Sequence, residues 1–417
     1  MKIYNSGGYL YDLKNEKYNA IPIMILYLFT LVLIKVIVLD NFNYFYFVTL
    51  ISGLFILYRI GIIVKMKGFL DRNRDLKYFY YIASIYVIYV LILTLVKMPS
   101  GIVYSVNIVI PFITMLFLIY DFVNSDYIIE KLNKFIFYIF LITSIAAIVM
   151  VVLGYSKIDL SFEYGIYLTP TKTYLMWDHE IRLSWLTSHK SRYALYCLIG
   201  IFFVNYNKFI NKKMKVFTIV LLYINLILSS SITSIAIGGL ALIFILKDII
   251  LNLFSRFRWL KILTIIGVPV IGIVSIWIVS MKRNIFTLGS RLYIWQSAMQ
   301  QIAIDPMGNV SMGSDFLMSN PNLDFQFTNG HNIFINELIE RGIIGSILFI
   351  VLLLAMLFIY YKNRKIEYLV ANILFIAGGC IDYTIASEMT YIFWFINALW
   401  IAESMMNFKS KNILYGF

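Results

Sequence analysis

The sequence predicts an all-α, polytopic membrane protein: one bundle of about twelve transmembrane helices, both termini cytoplasmic, with two long outer loops. Three observations predict it. Hydrophobic residues make up 61% of the 417-residue chain and charged residues 14%, whereas soluble domains carry about a quarter charged residues. Apolar runs recur at roughly the 20-residue length that a bilayer core of about 30 Å demands of a helix. Lys and Arg concentrate on alternate connections, as the positive-inside bias requires.

The apolar runs fall near 21–39, 43–63, 78–96, 102–120, 135–153 and 192–206 in the first half, and near 216–229, 234–250, 260–280, 333–360, 368–386 and 389–406 in the second. The run at 192–206 is short, and 216–250 reads as two helices joined at Ser229-Ser230-Ser231. The segments KMKGFLDRNRDLK, NKFINKKMK and YKNRK carry much of the basic excess and orient the chain N-in, C-in. The polar opening MKIYNSGGYLYDLKNEKYNA, with no small-residue cleavage pattern after the first apolar run, reads as a cytoplasmic tail.

A net charge of +13 would suggest nucleic acid in a soluble protein. Here it is cytoplasmic basic residues, and no nucleic-acid partner is expected. Cys197 and Cys380 lie in apolar segments, so no disulfide or thiolate metal site is expected. Asp178-His179-Glu180 has no second cluster at ligand spacing, so neither metal nor cofactor is expected. The whole of 1–417 reads as a single membrane domain.

Two connections are long: 154–191 and 281–332, both on the outer side. Connections beyond about 15 residues are usually functional or disordered, and the abundance of Trp, Tyr and Phe argues against disorder. The second loop contains GSRLYIWQSAMQQIAIDPMGN, followed by TNGHNIFINELIERGIIGSILFI. Arg291, Ile294, Trp295, Ala298 and Ile302 recur at helical spacing, predicting an amphipathic helix near 290–303 lying at the outer interface. Asp305-Pro306 ends it, Gly308 permits a turn, and a second helix starts near Asn332 and enters the membrane. His331 then sits at headgroup depth. Leu338, Gly342 and Gly345 share its helix face, where two glycines admit a close neighbouring helix.

Arg291, Trp295, Pro306, Gly308, His331-Asn332, Phe334, Glu340, Gly342 and Gly345 together resemble the motif of the bacterial O-antigen polymerase and O-antigen ligase superfamily. That motif is an Arg-x3-Trp helix, a Pro-Gly turn, then His-Asn-x-(aromatic or Leu) ahead of Glu-x-Gly-x2-Gly. LILSSSITSIAIGGLALI resembles the family's tight turn between spans. The chain departs from the pattern at Gly308-Asn309-Val310, where Gly-x-Gly is usual, and its Ser-rich turn lacks the common Arg.

The resemblance implies transfer of a growing glycan from undecaprenyl diphosphate to a sugar hydroxyl, at the outer face of a bacterial cytoplasmic membrane. The polysaccharide polymerase branch, making O-antigen or capsule, is favoured over the ligase branch. Partners are then undecaprenyl-diphosphate-linked oligosaccharide, membrane lipids and, as a further candidate, a chain-length regulator protein. The leaving diphosphate gains charge and needs fixed cations, for which the planar fork of Arg is better suited than Lys. Arg291 comes first, then Arg192 and Arg182 flanking the first outer loop. The acceptor hydroxyl must lose a proton, and an imidazole with pKa of about 6.5 suits that task. His331 is the candidate base. His189 is a candidate for acceptor or phosphate contact, as is Asn332 beside the base, and Trp295 for stacking on a sugar.

Each residue also has a plainer reading. His331 can cap a helix, Arg291 can snorkel to lipid phosphates, and Trp295 can belong to the aromatic belt. Glu337, Glu340 and Arg341 read as structural i,i+3 and i,i+4 partners. Among intramembrane charges, Lys35 reads as snorkelling, Arg59 as ending its span, and Asp382 as lining a cavity or pairing. A ligase acting on a different acceptor and a transporter of lipid-linked sugars are the competing functions; the transporter has no need of a long outer loop.

Overall fold

A computed structural model describes residues 44–97, 102–124, 126–161, 165–171, 182–187, 189–256, 290–309, 318–323, 326–327, 330–381 and 388–414. The predicted spans 21–39 and 260–280, and with them Lys35, lie outside the described residues, as do Asp178-His179-Glu180 and Asp382.

The described chain is mostly helical. It runs α1 (Tyr44–Arg59), a 3-10 turn (Ile60–Ile62), α2 (Ile63–Arg72), α3 (Arg74–Lys97), α4 (Ile102–Val123) and α5 (Asp126–Val152). A hairpin follows, β1 (Tyr155–Ser161) with β2 (Gly165–Pro170), then α6 (Lys190–Tyr206), α7 (Lys212–Leu228), α8 (Ile232–Ile245) and α9 (Lys247–Arg256). The last part is α10 (Arg291–Ile304), α11 (Ile333–Lys362), α12 (Ile366–Gly379) and α13 (Glu388–Leu414).

Local chemistry accounts for several boundaries. Asp75 in the first turn of α3 and Lys97 in its last turn both oppose the helix dipole. Asn211 caps α7 by accepting from the Met214 amide at 2.8 Å. The Ser-rich segment breaks α7 from α8 as its composition predicts, with Ser230 left-handed at φ 53°. Arg59 does end α1, and it is buried in an ion pair with Asp121 of α4. Their side chains are only 7% and 4% exposed.

The core is aromatic. Trp400 of α13 stacks on Tyr368 of α12 at 4.9 Å, and Trp394 meets Phe112 of α4 at 4.5 Å. Residues facing away from the bundle are also apolar: Tyr81, Ile85, Ile88 and Ile92 of α3 are each at least half exposed. Such a stripe belongs in hydrocarbon. Among the described residues, three helices are long and apolar enough to cross a membrane, or four if α8 and α9, bent by 63°, form one broken span.

Two features differ from the all-α expectation. The connection predicted at 154–191 carries the β1–β2 hairpin, which pairs antiparallel with Ile158 opposite Leu168. Short alternating stretches such as YSKIDLS favour a strand when a partner lies within a tight connection. And α11 is not one straight span. Gly342 interrupts it with φ 65° and ψ −169°, conformations open to glycine and closed to residues with a Cβ. Fifteen residues of straight helix would separate Phe334 from Phe349 by about 22 Å, yet their rings lie 6.4 Å apart. The segment 333–341 therefore folds back toward the segment 343–362.

Candidate functional site

The site is assembled around that break. In an unbroken helix the Ile343 amide would donate to the Ile339 carbonyl. Here the Ile343 amide donates to the Pro306 carbonyl at 2.9 Å, and the Asn309 amide donates to the Ile339 carbonyl at 2.8 Å. The turn at 305–309 thus replaces one helical hydrogen bond with two bonds from outside. The Tyr89 hydroxyl of α3 adds a further bond beside the break, donating to the Arg341 carbonyl at 2.9 Å. Every backbone group must find a partner in a span, so these contacts are what make the break tolerable.

Two glycines make room for the turn. A Cβ on Gly342 would strike the backbone of Pro306 and Met307, and one on Gly308 (φ 84°) would strike the backbone of Arg341 and Gly342. The neighbour that approaches Gly342 is this turn, not the helix expected from the sequence. Gly345 does face a neighbouring helix, through Tyr89 of α3.

The α10 helix is where the spacing predicts it, Arg291 to Ile304, ended by Asp305. Its buried residues are Ile294, Ser297 and Ala298. Ile294 and Ala298 pack into a small separate core with Ile335 and Ile339 of α11 and with Met318 and Phe327. The buried face of α10 is held against protein. Mutual backbone bonds of 2.8 and 2.9 Å between Met318 and Phe327 close the loop. Asn320 ties it to α10 through the Tyr293 carbonyl at 3.1 Å and the Ser297 hydroxyl at 3.0 Å.

This packing sets Trp295 beside the Gly330–His331–Asn332 segment, with Arg291 on the same helix as Trp295. The Trp295 indole donates to the Gly330 carbonyl at 2.7 Å, fixing α10 beside His331. Arg291 lies one turn away on the same helix face, roughly 6 Å along the axis, half-buried and with its Nε buried. His331 is half-buried and left-handed, φ 51°. It is not the helix cap: Asn332 caps α11, accepting from the Phe334 and Ile335 amides at 2.9 and 3.2 Å. Asn332 also donates to the Cys380 carbonyl at the end of α12, at 2.8 Å. The imidazole is thus presented by a strained residue between two anchored ones. Strain of this kind recurs at functional sites.

Glu337 and Arg341 form the i,i+4 ion pair expected of them, and Arg341 also pairs with its sequence neighbour Glu340. Sequence reasoning missed their partners on α3: the Tyr86 hydroxyl donates to Glu337 at 3.0 Å, and Lys97 binds both oxygens of Asp305 at 2.8 Å. The available signal was a pair of tyrosines three residues apart in a charge-free span, ending on Lys97.

Arg182, His189 and Arg192 gather elsewhere, at the start of α6. His189 caps that helix, its Nδ1 accepting from the Ser191 amide at 3.2 Å. Leu183 donates to the Leu228 carbonyl at 3.1 Å and Lys190 to the Ser230 carbonyl at 3.2 Å, joining this cluster to the Ser-rich turn. Arg182 and His189 are exposed and Arg192 half-buried. α12 packs against α6 and α8 as well as against α11, and so links the two clusters.

No protein-family model matches the chain, and no curated protein matches it.

Proposed function

We propose that this protein is a polysaccharide polymerase of the bacterial O-antigen or capsule type, moving a growing glycan from undecaprenyl diphosphate to a lipid-linked repeat unit at the outer face of the cytoplasmic membrane. The observation that carries this reading is the Trp295 bond to Gly330, which holds the Arg291 helix beside His331. A base and a phosphate-binding cation on adjoining anchored elements are what the reaction needs.

In the proposed step His331 takes the proton of the acceptor hydroxyl as its oxygen attacks the anomeric carbon. The bond from that carbon to the diphosphate oxygen breaks, and its electron pair leaves with undecaprenyl diphosphate. Arg291 stabilises the charge that collects there, and His331 then releases its proton to water. The cations at the start of α6 are the candidates for holding the second lipid diphosphate, and Trp295, its N–H already bonded, can still offer its ring to a sugar.

The test is genetic. In a strain deleted for the native gene, His331→Ala should leave single repeats on the acceptor and no long-chain ladder, at normal protein level. A full-length ladder would show that His331 is not the base. Unattached long polymer in the deletion strain would instead indicate a ligase.

A further inference from the structure

Two ion pairs give a ruler through the bundle. At one end Lys362 pairs with Asp75 at 2.6 Å, and at the other Lys97 pairs with Asp305 at 2.8 Å. Between them, residues 78–96 of α3 and 342–361 of α11 contain no charged side chain. Each stretch covers roughly 30 Å, the thickness of a bilayer core. Charges are costly in hydrocarbon, so the pairs mark the two membrane surfaces.

His331 falls between these marks by two independent measures. Phe334 lies beside Phe349, and Phe349 stands about 20 Å above Lys362 along α11. Asn332 holds the Cys380 carbonyl, and Cys380 stands about 21 Å above Ile366 along α12. Both leave His331 about 10 Å short of the level of Lys97. From Trp295 beside Gly330, α10 rises to Asp305 at the surface, and 333–341 rises beside it to Gly342.

The rim at that surface is apolar. Ile304 and Met307 are 78% and 48% exposed. They adjoin the equally exposed Leu95 and Val96 of α3 through the Lys97 pair, and Ile343 of α11 through the Pro306 bond. The exposed apolar surface of the spans therefore reaches the turn at 305–309 on either side of the Lys97–Asp305 pair.

We propose that α10 and 333–341 form a re-entrant cup that holds His331 about 10 Å beneath the membrane surface marked by Lys97, with a rim at Ile304 and Met307 that opens sideways to lipid. A ligand anchored in the bilayer would keep its chain against the rim while its polar head descends into the cup. The identity of that ligand rests on the polymerase reading; the depth and the lipid-facing rim do not.

Cryo-electron microscopy of the full chain in a lipid nanodisc tests the depth. The disc edge should coincide with Lys97, with His331 about 10 Å inside it. His331 level with the edge or outside it overturns the cup. For the rim, p-benzoylphenylalanine is placed at Met307, at Ile304 and, as a loop control, at Asn322. Irradiation in phospholipid vesicles should give a phospholipid adduct by mass at 304 and 307 and none at 322; absence of adduct at both rim positions overturns the lateral opening. Neither readout needs activity, so an inactive protein would sink the polymerase reading while the cup is still decided.

Discussion

The carbonyl of Pro306 accepts a hydrogen bond from the amide of Ile343 at 2.9 Å, although the two belong to different elements joined only through a long loop. A turn in the loop thereby mends a helix in the bundle, and the position of His331 depends on that repair.

Glycine substitution at the repair should be severe. Gly342→Ala and Gly308→Ala each bring a Cβ into backbone and place Ala at positive φ, which should cost upwards of about 3 kcal/mol. Gly239→Ala, whose Cβ would meet nothing within 4 Å, should be neutral or stabilising by up to about 1 kcal/mol. Thermal unfolding of the detergent-solubilised proteins checks the contrast.

Tyr89→Phe should be worse than its surface position suggests. It removes the hydroxyl that donates to the Arg341 carbonyl beside the break, a loss of about 1–3 kcal/mol. The same unfolding measurement reads it, with Tyr81→Phe as the exposed control.

Asn332 does two jobs that can be separated. Asn332→Asp retains the acceptor that caps α11 but cannot donate to Cys380. It should keep most of the cap's contribution of about 1 kcal/mol while loosening α12 from the site. Asn332→Ala loses both. Glycan length in cells carrying each variant, set against protein level, distinguishes positioning from stability: Asp should shorten the glycan with little loss of protein.

The pair of Arg59 and Asp121 should behave as a buried ion pair. Arg59→Met or Asp121→Leu alone leaves one buried charge and should cost about 3–5 kcal/mol, whereas the double variant should recover most of it. A double-mutant cycle in thermal stability measures the coupling.

The parts of this architecture that depend on local chemistry were legible in the sequence. The α10 helix, its end at Asp305, the turn at Gly308, the start of α11 after Asn332 and the corner at Ser230 all follow from caps, spacing and turn residues. The break at Gly342 was not, because the apolar pattern runs through it unchanged and the groups that repair it come from Pro306, Asn309 and Tyr89. For the same reason the proposed depth of His331 could not be read locally: Ile333 reads as the start of a span only if the helix is straight, and Gly342 breaks it. The ion pair of Lys97 with Asp305 joins residues 208 apart, and nothing local announces it.

The most direct test of the account is elongation by purified protein. Reconstituted in vesicles with a lipid-linked repeat unit and no membrane gradient, the native chain should produce a ladder of glycan lengths. His331→Ala and Arg291→Ala, at equal folded amounts, should produce none. A full ladder from His331→Ala would contradict the assignment of the base, and no ladder from the native protein would contradict the polymerase itself.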